Sequence, residues 1–142
     1  MPISTPPEWV EKYNNDNDHF VHVLDALFVP AVQEAGYEAI RPIAEGNDNI
    51  HASIIQKLEE SEMVLCDMST LNANVFFELG VRTALNRPVA SVHDGLIPAT
   101  PFDVSGINFN KYNPGLEGWR ITEDKTALSV HIRKAGEGCI WN

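Results

Sequence analysis

Between Cys66 and Gly80 the chain gathers side chains that can do chemistry: Asp67, Ser69, Thr70, Asn72, Asn74 and Glu78. Before them Met63-Val64-Leu65-Cys66 is apolar and of strand length. After them come apolar residues at helical spacing from Val81 to Leu85, the turn Asn86-Arg87-Pro88 and the β-rich run Val89-Ala90-Ser91-Val92. The pattern predicts strand, polar loop, helix, turn, strand. In an α/β sheet, ligands bind beyond the carboxyl ends of the strands, where this loop would lie. Asn74, just before Val75, suits the helix N-cap. Glu78 would then stand about one turn into the helix, near the positive end of its dipole, which favours a carboxylate. Glu78 is the candidate catalytic group. It is set inside the apolar string Val75-Phe76-Phe77-Glu78-Leu79-Gly80-Val81, where a solvated acid is not expected. Asp67, Ser69, Asn72 and Asn74 are candidate substrate-binding residues, although Asn and Asp also suit loops and caps for backbone reasons alone. Ser4 and Asp94 join them as rim residues at expected strand ends, as do Glu45 and Asp48, each of which also reads as a plain loop residue.

These residues need a scaffold, and 142 residues suffice for one domain, residues 1–142, with a proper core. A hydrophobic content of 44% with 21% charged residues is ordinary for a soluble globular chain. The formal net charge is −10 and Lys and Arg form no cluster. Direct nucleic-acid binding is therefore not expected, since a duplex-binding surface needs a basic patch. A small nucleotide is compatible, because a few backbone amides can hold a phosphate. No apolar run reaches membrane-spanning length, and Pro2, Pro6, Pro7 and Glu8 do not suit a signal peptide. Cys66 and Cys139 are far apart and read as free thiols, which predicts a cytoplasmic protein. The five histidines lack metal-ligand spacing with cysteine, so no metal is expected. His19 and His22 read as a solvent-facing pair on a helix.

The elements that must position the loop can be read in order. Glu8 to Tyr13 suits a short helical turn. Phe20, Val23, Leu24, Leu27, Phe28, Ala31, Val32 and Ala35 recur at three and four, an amphipathic helix kinked by Pro30 and ended by Gly36. Tyr37 to Arg41 reads as a strand stopped by Pro42. Asn49 can cap a helix with Ile50, Ile54, Ile55 and Leu58 on one face. Beyond Val92 lies a breaker-rich loop through Gly106. Ile107 to Tyr112 suits an edge strand, and Asp124 opens a last helix ending at Gly136 or Gly138. The alternation predicts an α/β fold: a three-layer, flavodoxin-like, mainly parallel sheet with helices on both faces. Such a domain normally begins with its central strand. This chain starts Met1-Pro2-Ile3-Ser4 and goes straight to a helix.

The run Cys66 to Gly80, followed by Ala84-Leu85-Asn86-Arg87-Pro88-Val89, resembles a bacterial TIR-like family whose fold is that of the nucleoside 2-deoxyribosyltransferases. Ala35-Gly36-Tyr37, Pro101-Phe102-Asp103-Val104 and Tyr112 extend the resemblance over most of the chain. Met1-Pro2-Ile3 is similar to the end of that family's first strand, which implies that the strand itself lies upstream of Met1. The departures are Ala73 for Pro, Phe77 for Tyr, Arg82-Thr83 for Ala-His and Asn86-Arg87 for Gly-Lys. The resemblance implies cleavage of a ribosyl N-glycosidic bond, with Glu78 as the carboxylate that stabilises or traps an oxocarbenium-like centre. Asp67, Ser69, Asn72 and Asn74 would hold ribose hydroxyls or phosphate oxygens. NAD is the favoured substrate and no separate cofactor is implied. The setting implied is bacterial signalling or anti-phage defence, with a homo-oligomer and a sensor or regulatory partner. A nucleoside deoxyribosyltransferase and a non-catalytic nucleotide-binding module are the alternatives.

Overall fold

A computed structural model describes residues 1–2, 4–41, 50–97 and 108–137, the side chains of 50–52 excepted. Three parallel strands form one sheet in the order β1 (Val64–Asp67), β2 (Val89–His93), β3 (Phe109–Lys111). Val64 stands opposite Val89, Asp67 opposite Val92 and His93 opposite Lys111. Val89, Ala90, Ser91 and Val92 are all buried, as a central parallel strand covered on both faces requires.

Two helical layers cover the sheet. On one face lie α2 (His19–Val23), a π-helical turn at Leu24–Phe28, α3 (Val29–Glu34) and α6 (Gly118–Glu137). On the other lie α4 (Ile50–Glu60) and α5 (Ala73–Ala84). A short α1 (Pro7–Val10) runs into a 3-10 turn at Glu11–Tyr13. The fold is thus the flavodoxin-like, three-layer α/β arrangement. Val23, Leu27, Phe28, Ala31, Leu128 and Ile132 fill the first interface with the inward side of β2. Cys66, Met68, Val75, Leu79 and Val89 fill the second. No helix among the described residues is long and apolar enough to cross a membrane.

Several elements differ from expectation, each for a local reason. The kink at Pro30 is resolved upstream as the π turn, where Val29 N–H reaches back to Leu24 O. The wider turn gives room before a residue that has no N–H and a ring that crowds the preceding carbonyl. Gly36 takes φ +94° and ends α3, as its lack of a side chain allows. Residues 37–41 are not a strand; a cavity separates them from β1, so they have no ladder to join. Asn72, not Asn74, caps α5: its Oδ1 accepts from Asn74 N–H at 2.9 Å. Glu78 consequently lies in the second turn of the helix, beyond the first turn to which the dipole's influence is confined. His19 and His22 are no solvent-facing pair, for His19 is buried and only His22 is exposed. The last helix starts at Gly118, and Asp124 lies inside it, accepting from Asn113 N–H at 2.9 Å. It ends at Glu137. Glu45, Asp48, Asn49, Cys139 and the breaker-rich stretch 98–106 lie outside the described residues.

Candidate functional site

The polar loop follows β1, as its sequence demanded, and residues at the carboxyl ends of all three strands meet there. Asp67, the last residue of β1, is fully buried. Its Oδ1 accepts from the Ser69 N–H at 3.0 Å and the Ser69 hydroxyl at 2.6 Å, and its Oδ2 accepts from the Tyr112 hydroxyl at 2.8 Å. The Ser69 hydroxyl oxygen in turn accepts from the Asp94 N–H at 3.0 Å. Asp94, just after β2, accepts from the Tyr13 hydroxyl through Oδ2 and from the Leu96 N–H at 3.0 Å through Oδ1. Tyr13 stacks on His19, ring centroids 3.9 Å apart. One chain of bonds therefore ties the ends of β1, β2 and β3 to the turn after α1.

Burial governs the electrostatics of this network. It pushes the Asp67 carboxyl above its ordinary value, against the bonds from Ser69 and Tyr112 that favour the ion. It also pushes both phenols up, helped at Tyr112 by the Asp67 charge and at Tyr13 by the bond to Asp94. His19 is held below its ordinary value by burial, so it is a neutral ring at physiological pH. Its Nε2 is buried with no hydrogen-bond partner, as is the Thr70 hydroxyl. Thr70 and Leu71 have φ of +63° and +54°, a left-handed pair of non-glycine residues that costs roughly 1–2 kcal/mol each. Asp67 and Ser69 anchor the loop that holds this strain.

Glu78 stands apart from the network. It lines a cavity of about 620 Å³ beside β1, with its side chain 24% exposed. Its Oε2 lies 3.9 Å from the Met1 ammonium. The cavity is walled by Tyr37 and Ile40 on one side, Met63 and Leu65 on the other, and by Phe28 and Leu58 from the two helical layers. The structure thus brings Asp67, Ser69 and Asp94 together and places Glu78 on the neighbouring cavity. Asn72 is half-buried at the helix cap, and Asn74 and Ser4 are exposed. Tyr13 and His19, which join the network, have no signal in the sequence, since the turn after α1 looks like an ordinary polar loop. Tyr112 could be found only through the family resemblance. Among the described residues no group of three His, Cys, Asp or Glu side chains could hold a metal ion. Cys66 is buried and its thiol is pushed up to about 12 by that burial, so it is no nucleophile.

Arg82, one turn beyond Glu78 on α5, is fully buried. Its guanidinium makes five hydrogen bonds, all to backbone carbonyls: Leu58 and Ser61 at 2.7 and 2.8 Å, Glu62 at 3.2 Å, and Pro88 twice, at 2.5 and 3.2 Å. It fastens α5 to the end of α4 and to the turn before β2. The helix terminus it meets is the negative end, where a cation is favoured.

Comparison of the chain with protein-family models, with curated proteins and with solved structures returned no match.

Proposed function

We propose that the protein cleaves a ribosyl N-glycosidic bond in a nucleotide, NAD being the first candidate, with Glu78 as the catalytic carboxylate. The observation that carries this reading is Glu78 itself: an acid within an apolar stretch of α5 that lines a cavity beside β1, its side chain 24% exposed. Loss of the base leaves positive charge on the ribosyl ring, and a carboxylate at such a place can stabilise that charge or trap it as an ester. Asn72 and Asn74, at the start of the same helix, offer amide groups to ribose hydroxyls. Asp94 is buried with Asp67 and Ser69 in the network that shapes the loop, and Ser4 is exposed. The same resemblance that suggests the chemistry suggests a TIR-like or deoxyribosyltransferase-like protein of bacterial signalling or defence. It would work in the cytoplasm as a homo-oligomer under a sensor or regulatory partner.

A binding module without catalysis is the second reading. It is favoured by the engagement of every Asp67 oxygen and of the Ser69 hydroxyl in internal bonds. The test is NAD consumption by concentrated protein, wild type beside Glu78→Gln. Loss of NAD with wild type alone is the expected outcome. If both are silent on NAD, and equally silent on deoxynucleosides supplied with a free base, the catalytic reading fails. Base exchange instead of hydrolysis would assign a transferase.

A further inference from the structure

We propose that the outward face of α5 is the contact by which two copies of this chain pair, antiparallel about a two-fold axis. The inward side of α5 packs Val75 and Leu79 into the core. Its outward side carries Ala73, Phe77, Gly80, Val81, Ala84 and Leu85, which recur at three and four along the helix. Phe77 is 52% exposed and Leu85 44%. None of the six is charged; Glu78 borders the stripe and Arg82 turns inward. A surface helix sets charged and polar residues opposite its buried stripe, whereas a helix apolar on opposite sides is a buried one. A single exposed apolar residue needs no explanation, but a contiguous run along one helix marks an interaction site. The face is also rigid, because Arg82 fastens α5 to the end of α4 and to the turn before β2.

The stripe fits a second copy of itself. With the axis between Gly80 and Val81, Phe77 lies over the partner's Ala84 and Val81 over the partner's Gly80, so each large side chain meets a small one. A Cβ added at Gly80 would meet nothing within 4 Å, which leaves a hollow for the partner's Val81. Antiparallel helices also set opposite dipole ends side by side. The same patch serves both copies, so the contact closes at the dimer. Charge points the same way: two chains of net charge −10 repel each other, and an uncharged face is where they can meet. A membrane does not fit, since a helix that lies on one carries Lys and Arg along its margin. Here the margin is Glu78, and α4 beside it ends in exposed Glu59 and Glu60. A face about 18 Å long and about 10 Å wide buries on the order of 400 Å² per copy, about half of a standard interface. The dimer is therefore weak, with a dissociation constant on the order of 0.1 mM. In naming the contact the inference deepens the homo-oligomer of the proposed function, and it stands without the chemistry at Glu78: NAD consumption tests that chemistry, and the measurements below read association alone.

Sedimentation of the full chain from about 10 μM to about 1 mM should show a reversible monomer–dimer equilibrium. Phe77→Glu puts a charge at both ends of the contact and should weaken the dimer at least about tenfold. Gly80→Gln fills the hollow without adding charge. It should also weaken the dimer at least about tenfold, with the unfolding midpoint equal or higher, because glycine is a poor helix residue. If Phe77→Glu fails to fold, Gly80→Gln decides. The register is read with Phe77→Cys/Ala84→Cys in a Cys139→Ser background. Within one chain the two positions are about 10 Å apart along the helix, too far for a disulfide, whereas in the dimer each faces its counterpart. The double variant should link into covalent dimers in air, and each single variant at least about tenfold more slowly. A chain that stays monomeric at about 1 mM, or that assembles beyond a dimer, overturns the proposal. So does a dimer that either folded variant leaves intact, since another face would then hold it, and so do single variants that link as fast as the double.

Discussion

Arg82→Met tests whether one buried guanidinium holds the helix that carries Glu78. Methionine keeps much of the apolar stem and removes the charge and every donor. Four carbonyls lose their partner: Leu58, Ser61, Glu62 and Pro88. A buried acceptor left unsatisfied costs about 1–3 kcal/mol, and a part-exposed one, which water can reach, costs less. The Leu58 bond is buried and the other contacts are part-buried. The expected total is therefore about 3–5 kcal/mol, in line with breaking other buried charged networks. For 142 residues the unfolding entropy is about 0.3 kcal/mol/K, so the midpoint should fall by roughly 10–16 °C. Lysine at the same place should recover less than half of that loss, because a point charge cannot reach carbonyls spread over a planar fork. Calorimetry of wild type, Arg82→Met and Arg82→Lys gives the answer. A loss below about 1 kcal/mol for Met, or full recovery by Lys, would refute the assignment of a clamp.

Three further outcomes follow from the site. Both Tyr13 and Tyr112 have phenols raised above their ordinary value, so the folded state keeps protons that the unfolded chain releases. Stability should therefore be intact below about pH 10 and fall as pH rises beyond it. Tyr112→Phe should flatten that fall in urea denaturation at graded pH, and an unchanged slope would contradict the buried bond to Asp67. Thr70→Gly relieves a left-handed φ of +63° and removes an unpartnered buried hydroxyl. It should raise stability by about 1 kcal/mol, and a loss would mean that the hydroxyl has a role in holding the loop. Glu78→Gln should abolish NAD consumption while leaving the unfolding midpoint within about 3 °C, since the acid is partly exposed.

The sequence shows the second half of the fold more clearly than the first. β1, α5 and β2 were legible because apolar runs, a polar loop and a Pro-containing turn agree on one answer, and local agreement of this kind specifies structure. The 37–41 segment is not the strand that its residue types suit, because strand formation also needs a neighbour to bond with. Asn72 and Asn74 are both good caps by type, and only the geometry chooses between them. In the sequence Arg82 stands out only as part of a departure from the family pattern, Arg82-Thr83 for Ala-His. No local pattern could reveal that its partners are carbonyls from α4 and from the turn before β2. The polar character of the loop was legible in its residue types, but not that Asp67 would turn inward to Tyr112, a contact spanning 45 residues.

The cavity beside β1 connects two observations that are puzzling when taken singly. Residues 37–41 have the composition of a strand and do not form one; Glu78 sits in an apolar stretch of α5 and, among the described residues, meets no side-chain donor of the loop. Both residue sets face the same cavity. The same cavity thus leaves 37–41 without a ladder partner and gives Glu78 its partly open setting.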